Sequence, residues 1–356
     1  MFTSQCIAAL LLASPTPQDG AELIWTDVRS LTIEGQGWSE LKSPFDRLPA
    51  KAEGVVREPV WTLSRDSAGI AARFVTDATE LHCKWSLIDA KLEMSHMPAT
   101  GVSGVDLYVR DDEGVWRWLA CPRPNRQEMS AKLVSGIDPG TREYMLYLPL
   151  YNGVTSCAVG VPASANIKPG PARPKERSKP IVFYGTSITH GGCASRPGMP
   201  HPMILGRSLD RPIINLGFSG NGRMDLELAD LLGELDASVF IIDCLPNMNG
   251  ASVSERVVPF VTKLRQHRPK TPILLVEDRS FSNSFLLSSK RRHHEASRAA
   301  LRRGFEELKD GGMRDLHYLE GAELLGNEDT VDGSHPTDLG FIRQAAVFET
   351  SLKQLL

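Results

Sequence analysis

Ile181-Val-Phe-Tyr-Gly-Thr-Ser-Ile-Thr-His190 is an apolar run that stops abruptly at Gly-Thr-Ser. Four consecutive apolar or aromatic residues before a glycine fit a strand of a parallel sheet, buried on both faces, that ends in a sharp turn. The turn puts the hydroxyl of Ser187 just past the carboxyl end of that strand, where open α/β sheets bind their ligands. A hydroxyl in that position does chemistry only if a base and an oxyanion site stand beside it. The far end of the chain supplies a base in Val331-Asp-Gly-Ser-His-Pro336. Together the two segments point to acyl transfer.

A serine hydroxyl is a weak nucleophile until an imidazole removes its proton. The imidazole works better when a carboxylate fixes its tautomer and stabilises the imidazolium. Asp332 and His335 stand three residues apart and precede a proline, which suits the first turn of a helix, where side chains at that spacing share a face. Taken alone, such a pair reads equally well as a helix cap beside a surface histidine. Two further strand ends fall where an oxyanion site would need them. Ile213-Ile-Asn-Leu-Gly-Phe-Ser-Gly-Asn-Gly222 runs into a glycine-rich turn whose N–H groups can approach a substrate closely. Val239-Phe-Ile-Ile-Asp-Cys-Leu-Pro-Asn247 ends in a Pro-Asn that could aim an amide donor. Singly, each is also an ordinary turn.

Beyond residue 180 the chain alternates strands with helical patterns over 254–267, 290–308 and 336–355, and Ile273-Leu-Leu-Val-Glu277 gives a fourth strand. The alternation predicts a flavodoxin-like three-layer α/β/α domain over 180–356 with a parallel sheet. The first half reads differently. Trp61-Thr-Leu-Ser64, Ile70–Val75, Leu81–Ile88, Val105–Arg110, Trp116–Leu119 and Tyr144–Tyr151 are short segments rich in β-branched and aromatic residues, and Asp111-Asp-Glu-Gly114 is a hairpin signal. An all-β, jelly-roll-like sandwich over 21–165 is the expectation. Between the halves, the Pro- and Lys-rich stretch 166–179 suits a stiff, extended linker.

A chain of 356 residues supports two domains, and a formal net charge of −3 gives no reason to expect nucleic acid or an anionic membrane as partner. No Cys/His/carboxylate spacing suggests a metal site, so chemistry without metal or cofactor is expected. Lys290-Arg-Arg-His-His294 reads as the solvated start of a helix. Six cysteines show no paired spacing; Cys193, close after Ser187, reads as a packing residue. Residues 1–20 resemble a secretory signal peptide without the usual basic start, which implies a secreted or periplasmic protein. Their apolar run is too short to span a membrane.

The order of the blocks resembles the SGNH hydrolases, the GDSL-like esterases and acylhydrolases, over about half the chain. Gly185-Thr-Ser-Ile188, Asn215-Leu-Gly-Phe-Ser-Gly220, Pro246-Asn247 and Asp332-Gly-Ser-His335 carry the resemblance. It implies a triad of Ser187, Asp332 and His335, with an oxyanion hole built from the N–H groups of Ser187 and Gly220 and the side chain of Asn247. Thr186 departs from the Asp of the family name, and the third block lacks the usual Gly-x-Asn-Asp. Gly104-Val-Asp-Leu-Tyr108 also resembles the Gly-x-Asp-Leu-Tyr motif of an N-terminal domain attached to one group of these esterases. This pairing of domains is similar to that of carbohydrate esterases and implies a short acyl group, acetyl, on a carbohydrate. Arg196, in the loop after the nucleophile, is a candidate substrate contact. A lipase or thioesterase would need an apolar acyl groove, for which Phe218, Leu245 and Met248 are candidates. A glycan-binding module with an inactive hydrolase would instead stack sugars on Trp61, Trp85, Trp116 and Trp118.

Overall fold

The structure is a computed structural model that describes residues 22–356. The expected signal peptide therefore lies outside the described residues. The first half contains ten strands: β1 (Leu23–Asp27), β2 (Thr32–Glu34), β3 (Ala71–Thr76), β4 (Glu80–Leu87), β5 (Asp106–Arg110), β6 (Trp116–Ala120), β7 (Glu128–Ser135), β8 (Arg142–Tyr147), β9 (Val154–Pro162) and β10 (Ile167–Pro169). They form two antiparallel sheets, β1-β9-β4-β7 and β10-β3-β8-β5-β6, with β2 also paired to β3. Period-two alternation gives each sheet an inner apolar face. Leu81, Cys83, Trp85 and Val159 from one sheet meet Phe74, Leu107, Tyr144 and Leu146 from the other in a closed core.

Two helices also belong to this half, α1 (Glu58–Ser64) and α2 (Ala99–Val102). The first overturns a strand expected around Trp61. Glu58 and Pro59 in the opening turn favour a helix start over the local aromatic content. The helix also has a different destination: Val60 and Trp61, with Leu48 and Val56, pack into the core of the second half. The expected linker is likewise attached over part of its length. Ile167–Pro169 pairs with β3, and Arg173 bridges Glu34 and Asp210.

The second half is a five-stranded parallel sheet of β11 (Ile181–Gly185), β12 (Ile213–Gly217), β13 (Val239–Asp243), β14 (Ile273–Val276) and β15 (Leu316–Leu319), in the order β12-β11-β13-β14-β15. The helices are α3 (Ser187–His190), α4 (His201–Ser208), α5 (Leu226–Gly233), α6 (Gly250–His267), α7 (Ser288–Asp310) and α8 (Asp338–Leu352). Alternate strand residues serve opposite layers. Val182, Tyr184, Ile214, Leu216, Phe240 and Ile242 pack beneath α5, α6 and α7. Ile181, Phe183, Ile213, Val239 and Ile241 face Met203, Leu205, Phe348 and Leu352 of α4 and α8. The same cluster takes in Tyr108, Trp116, Met145 and Tyr147 from the outer face of the six-stranded sheet. The two halves therefore share apolar surface.

That contact gives the Gly-x-Asp-Leu-Tyr motif a physical reading. Leu107 points into the sandwich core, while Asp106 and Tyr108 face the second half, both buried. The Asp106 carboxylate accepts bonds from Gly198 N–H at 2.8 Å, Arg196 Nη1 at 2.8 Å and Trp118 Nε1 at 3.0 Å. A side chain at Gly104 would meet the Thr100 carbonyl oxygen at 2.3 Å. The motif thus anchors the 191–199 loop, which follows β11 and α3.

The sheet ends are pressed tightly onto α3. A Cβ on Gly217 would lie 2.1 Å from His190 N, and one on Gly222 would lie 2.1 Å from the Gly185 carbonyl oxygen. Gly217→Ala is therefore expected to cost about 3 kcal/mol, since the clash is with backbone and no flexible side-chain end can yield. Urea denaturation against wild type checks this.

Candidate active site

Ser187, Gly220 and Asn247 follow the carboxyl ends of β11, β12 and β13. These are the three strands around the point where strand order reverses, which is where doubly wound sheets hold ligands. Ser187 opens α3, and Thr186 caps that short helix by accepting from Ile188 N–H. Gly191, at φ +115°, ends it.

Ser187 Oγ lies 2.8 Å from His335 Nε2, and His335 Nδ1 lies 2.7 Å from Asp332 Oδ2. The second oxygen of Asp332 accepts the N–H groups of Ser334 at 3.0 Å and His335 at 2.8 Å. Partial burial pushes the Asp332 carboxyl up. The His335 N–H, its ring and the Ser334 N–H outweigh that and hold it at about 2. Because the value is depressed, the carboxylate is present above the ordinary range and is lost only as pH falls through about 2. At neutral pH the ionised Asp332 faces Nδ1 of the ring, and Nε2 faces the Ser187 hydroxyl.

The expected helical turn around these two residues is not what brings them together. Asp332 and His335 lie in a turn before α8, which starts at Asp338 with Thr337 as its cap. Thr330 and Pro336 pair across the turn's base, and Thr337 N–H donates to the Asp329 carbonyl at 2.7 Å. The Asp332 side chain, bonding backbone two and three residues on, shapes the loop in place of helical hydrogen bonds.

Around the Ser187 hydroxyl, the N–H groups of Ser187 and Gly220 find no acceptor among the described residues. Gly220 has φ +69°, a backbone conformation that favours glycine. Asn247 sits in the turn Leu245–Asn247 and accepts from Gly222 N–H through Oδ1 at 3.2 Å, which leaves its amide N–H₂ to donate elsewhere. Arg196, expected to meet substrate, is engaged otherwise. It donates to Asp106 and Tyr108 and stacks over Trp118, so it serves the contact between the halves. Cys193 is buried at φ +77°, and burial pushes its thiol to about 12, so it carries little thiolate at neutral pH.

Several neighbours of the site gave no sequence signal. Tyr151, from the first half, donates from its hydroxyl to the Ser187 carbonyl at 3.2 Å and stacks on His190 with ring centroids 4.0 Å apart. His96, also from the first half, has its ring centroid 6.2 Å from that of His335. Behind the site, Asp243 is wholly buried at the end of β13. It is paired in two-pronged fashion with Arg279 (Nη2–Oδ2 2.7 Å) and receives Thr189 Oγ1 at 3.3 Å. Gln344 of α8 accepts from the same guanidinium at 2.8 Å and 3.1 Å. This network ties α3 and α8 to the sheet. His294 is an inward-facing member of the basic stretch that opens α7. Its Nδ1 meets Asp278 at 2.9 Å, but its Nε2 accepts Phe281 N–H at 3.1 Å, so this second Asp–His pair has no free base.

Residues 178–353 match the GDSL-like lipase/acylhydrolase family, and residues 23–167 match GxDLY, the N-terminus of SGNH-hydrolase-type esterases. No curated protein matches the sequence. Among solved structures, a protein described as a GDSL-like lipase from Bacteroides ovatus is 31% identical, with 94% of this chain and 98% of that one covered and a TM-score of 0.89. A salicylyl-acyltransferase from a tetracycline biosynthetic pathway shares the fold at 18% identity, covering 94% and 97% of the two chains with a TM-score of 0.73. A family two carbohydrate esterase from Cellvibrio japonicus does so at 13%, covering 94% and 98% with a TM-score of 0.61. The chain belongs to the GDSL-like lipase/acylhydrolase family of SGNH hydrolases and carries the GxDLY domain at its N-terminal side.

Proposed function

We propose that the protein is a serine esterase that removes short acyl groups, acetyl above all, from carbohydrate. Ser187, His335 and Asp332 form the triad, and no cofactor takes part. The observation that carries this reading is the unbroken relay from Ser187 Oγ through His335 to Asp332, at 2.8 Å and 2.7 Å. His335 takes the hydroxyl proton as Ser187 attacks the ester carbonyl. The oxyanion is received by Ser187 N–H, Gly220 N–H and the Asn247 amide. Collapse expels the alcohol, which takes the proton from His335, and leaves an acyl-serine. Water, activated by the same imidazole, releases the acid.

The acetyl-carbohydrate assignment is supported by the fold shared with family two carbohydrate esterases and, at 12% identity, with an acetyl xylan esterase from Butyrivibrio proteoclasticus. Burial argues against a long acyl chain. Phe218, Leu245 and Met248, the residues a groove would use, are packed into the core beneath the sheet. It also weakens the glycan-binding alternative. Trp61, Trp85 and Trp116 are buried, and the exposed Trp118 is committed to Asp106 and Arg196. We further propose export of the protein, on the signal-like character of residues 1–20; no helix among the described residues is long and apolar enough to cross a membrane.

Ser187→Ala is expected to lower kcat on p-nitrophenyl acetate and acetylated xylan by at least about a thousandfold. Retained turnover would reject the mechanism. Asp332→Asn should lower kcat roughly 10²- to 10⁴-fold with KM little changed, because it releases the tautomer without removing the base. In a series of p-nitrophenyl esters, kcat/KM should fall from acetyl to octanoyl. A rise with chain length would favour a lipase.

A further inference from the structure

When the tetrahedral intermediate collapses, the acyl group stays on Ser187 Oγ and only the alcohol departs. The carbonyl oxygen belongs with the Gly220 and Asn247 donors. The departing alcohol oxygen must lie within hydrogen-bond reach of His335 Nε2, which gives it its proton as the C–O bond breaks. The first half of the chain brings a second imidazole close to the His335 ring. Met94 and Met97 close a tight turn, with N–H to carbonyl bonds of 3.0 Å and 3.1 Å in both directions, and His96 stands at its tip. The tip is exposed, and its ring lies 6.2 Å from the His335 ring with no hydrogen-bond partner among the described residues.

The turn is fastened to the catalytic half. Met97 is buried in a cluster with Ile188, the residue after the nucleophile, and with Ala194 and Phe341. Just beyond the turn, Thr100 Oγ1 donates to the Ser195 carbonyl at 2.6 Å. Gly101 lies so close to Ala194 that a Cβ would meet its carbonyl oxygen at 2.3 Å. An exposed, unpaired imidazole on a tightly held support is a pre-positioned contact.

We propose that His96 is a specificity-determining residue that hydrogen-bonds the hydroxyl-bearing leaving group, a sugar or similar polyol, beside His335. This rests on the serine-esterase reading. The acetyl-enzyme is the same whatever alcohol has left, so His96 acts on acylation by esters of polar alcohols and not on hydrolysis of the intermediate.

The test compares wild type, His96→Ala and His96→Gln on two acetates, p-nitrophenyl acetate and an O-acetylated methyl xyloside. The nitrophenolate leaves without needing a proton or a partner hydroxyl. The expected result is a roughly tenfold loss of kcat/KM on the xyloside in His96→Ala, with p-nitrophenyl acetate within twofold of wild type. His96→Gln, which keeps a donor and an acceptor, should recover most of the loss. Equal losses on both substrates would show a structural role and overturn the proposal, as would no loss on either. Wild type that cleaves the aryl acetate but not the xyloside would overturn it as well. Failure of the serine-esterase reading looks different: Ser187→Ala would keep the wild-type rate on p-nitrophenyl acetate.

Discussion

The geometry of the site depends on a cation buried without a carboxylate in direct contact. Arg47 is almost inaccessible, and its guanidinium donates to four backbone carbonyls: Leu63 at 2.5 Å, Asp66 at 2.8 Å, Asn215 at 3.1 Å and Gly217 at 2.7 Å. Burial pulls its pKa down to about 10, so it remains charged at neutral pH. Taking a charge out of water is expensive unless other dipoles replace the solvent. Here those dipoles are the carbonyls at the end of β12 and around the end of α1. The guanidinium also lies 5.2 Å from the centre of the Phe218 ring. The turn that presents Gly220 is therefore held from the other half of the chain, by a residue far away in sequence.

A second buried charge does the corresponding work on the Ser187 side. Asp243, Arg279, Gln344 and Thr189 connect β13, α8 and α3 beneath Ser187. Separating such a pair would leave an uncompensated ion in a dry interior, so the elements it joins move together or not at all. The Asp106 cluster extends the same logic to the loop after α3. Three buried ionic or charge-to-backbone junctions thus surround Ser187, His335 and Asp332 while touching none of their side chains. They act by constraining the loops, and each joins segments that the chain order keeps apart.

This explains what was legible in the sequence. Strand ends, the nucleophile turn and the Asp332–His335 spacing are local patterns, and a two-residue period or an apolar run announces them. The five-stranded sheet was foreseen in kind, although β15, with only Leu316 and Leu319 buried, is too short and mixed to stand out. At Trp61 the β-branched and aromatic content suggests a strand, and a proline at a helix start outweighs it in the fold. Nothing local to Arg196 shows that a buried carboxylate ninety residues earlier pairs with it. Tyr151, His96 and Arg47 share that difficulty: their partners are brought to them only by packing.

The turn from Asp332 to His335 has one more consequence. Carboxylate and imidazole share four residues, and the carboxylate also clasps the backbone of its own loop. Orientation of the base is thereby a property of the loop, independent of the sheet to which it docks. Within the Ser187–His335–Asp332 arrangement, the rest of the fold has to hold only one separation, that between Ser187 and His335. A lineage can remodel strands, helices or even the partner domain, and its relay stays in tune as long as that single span survives.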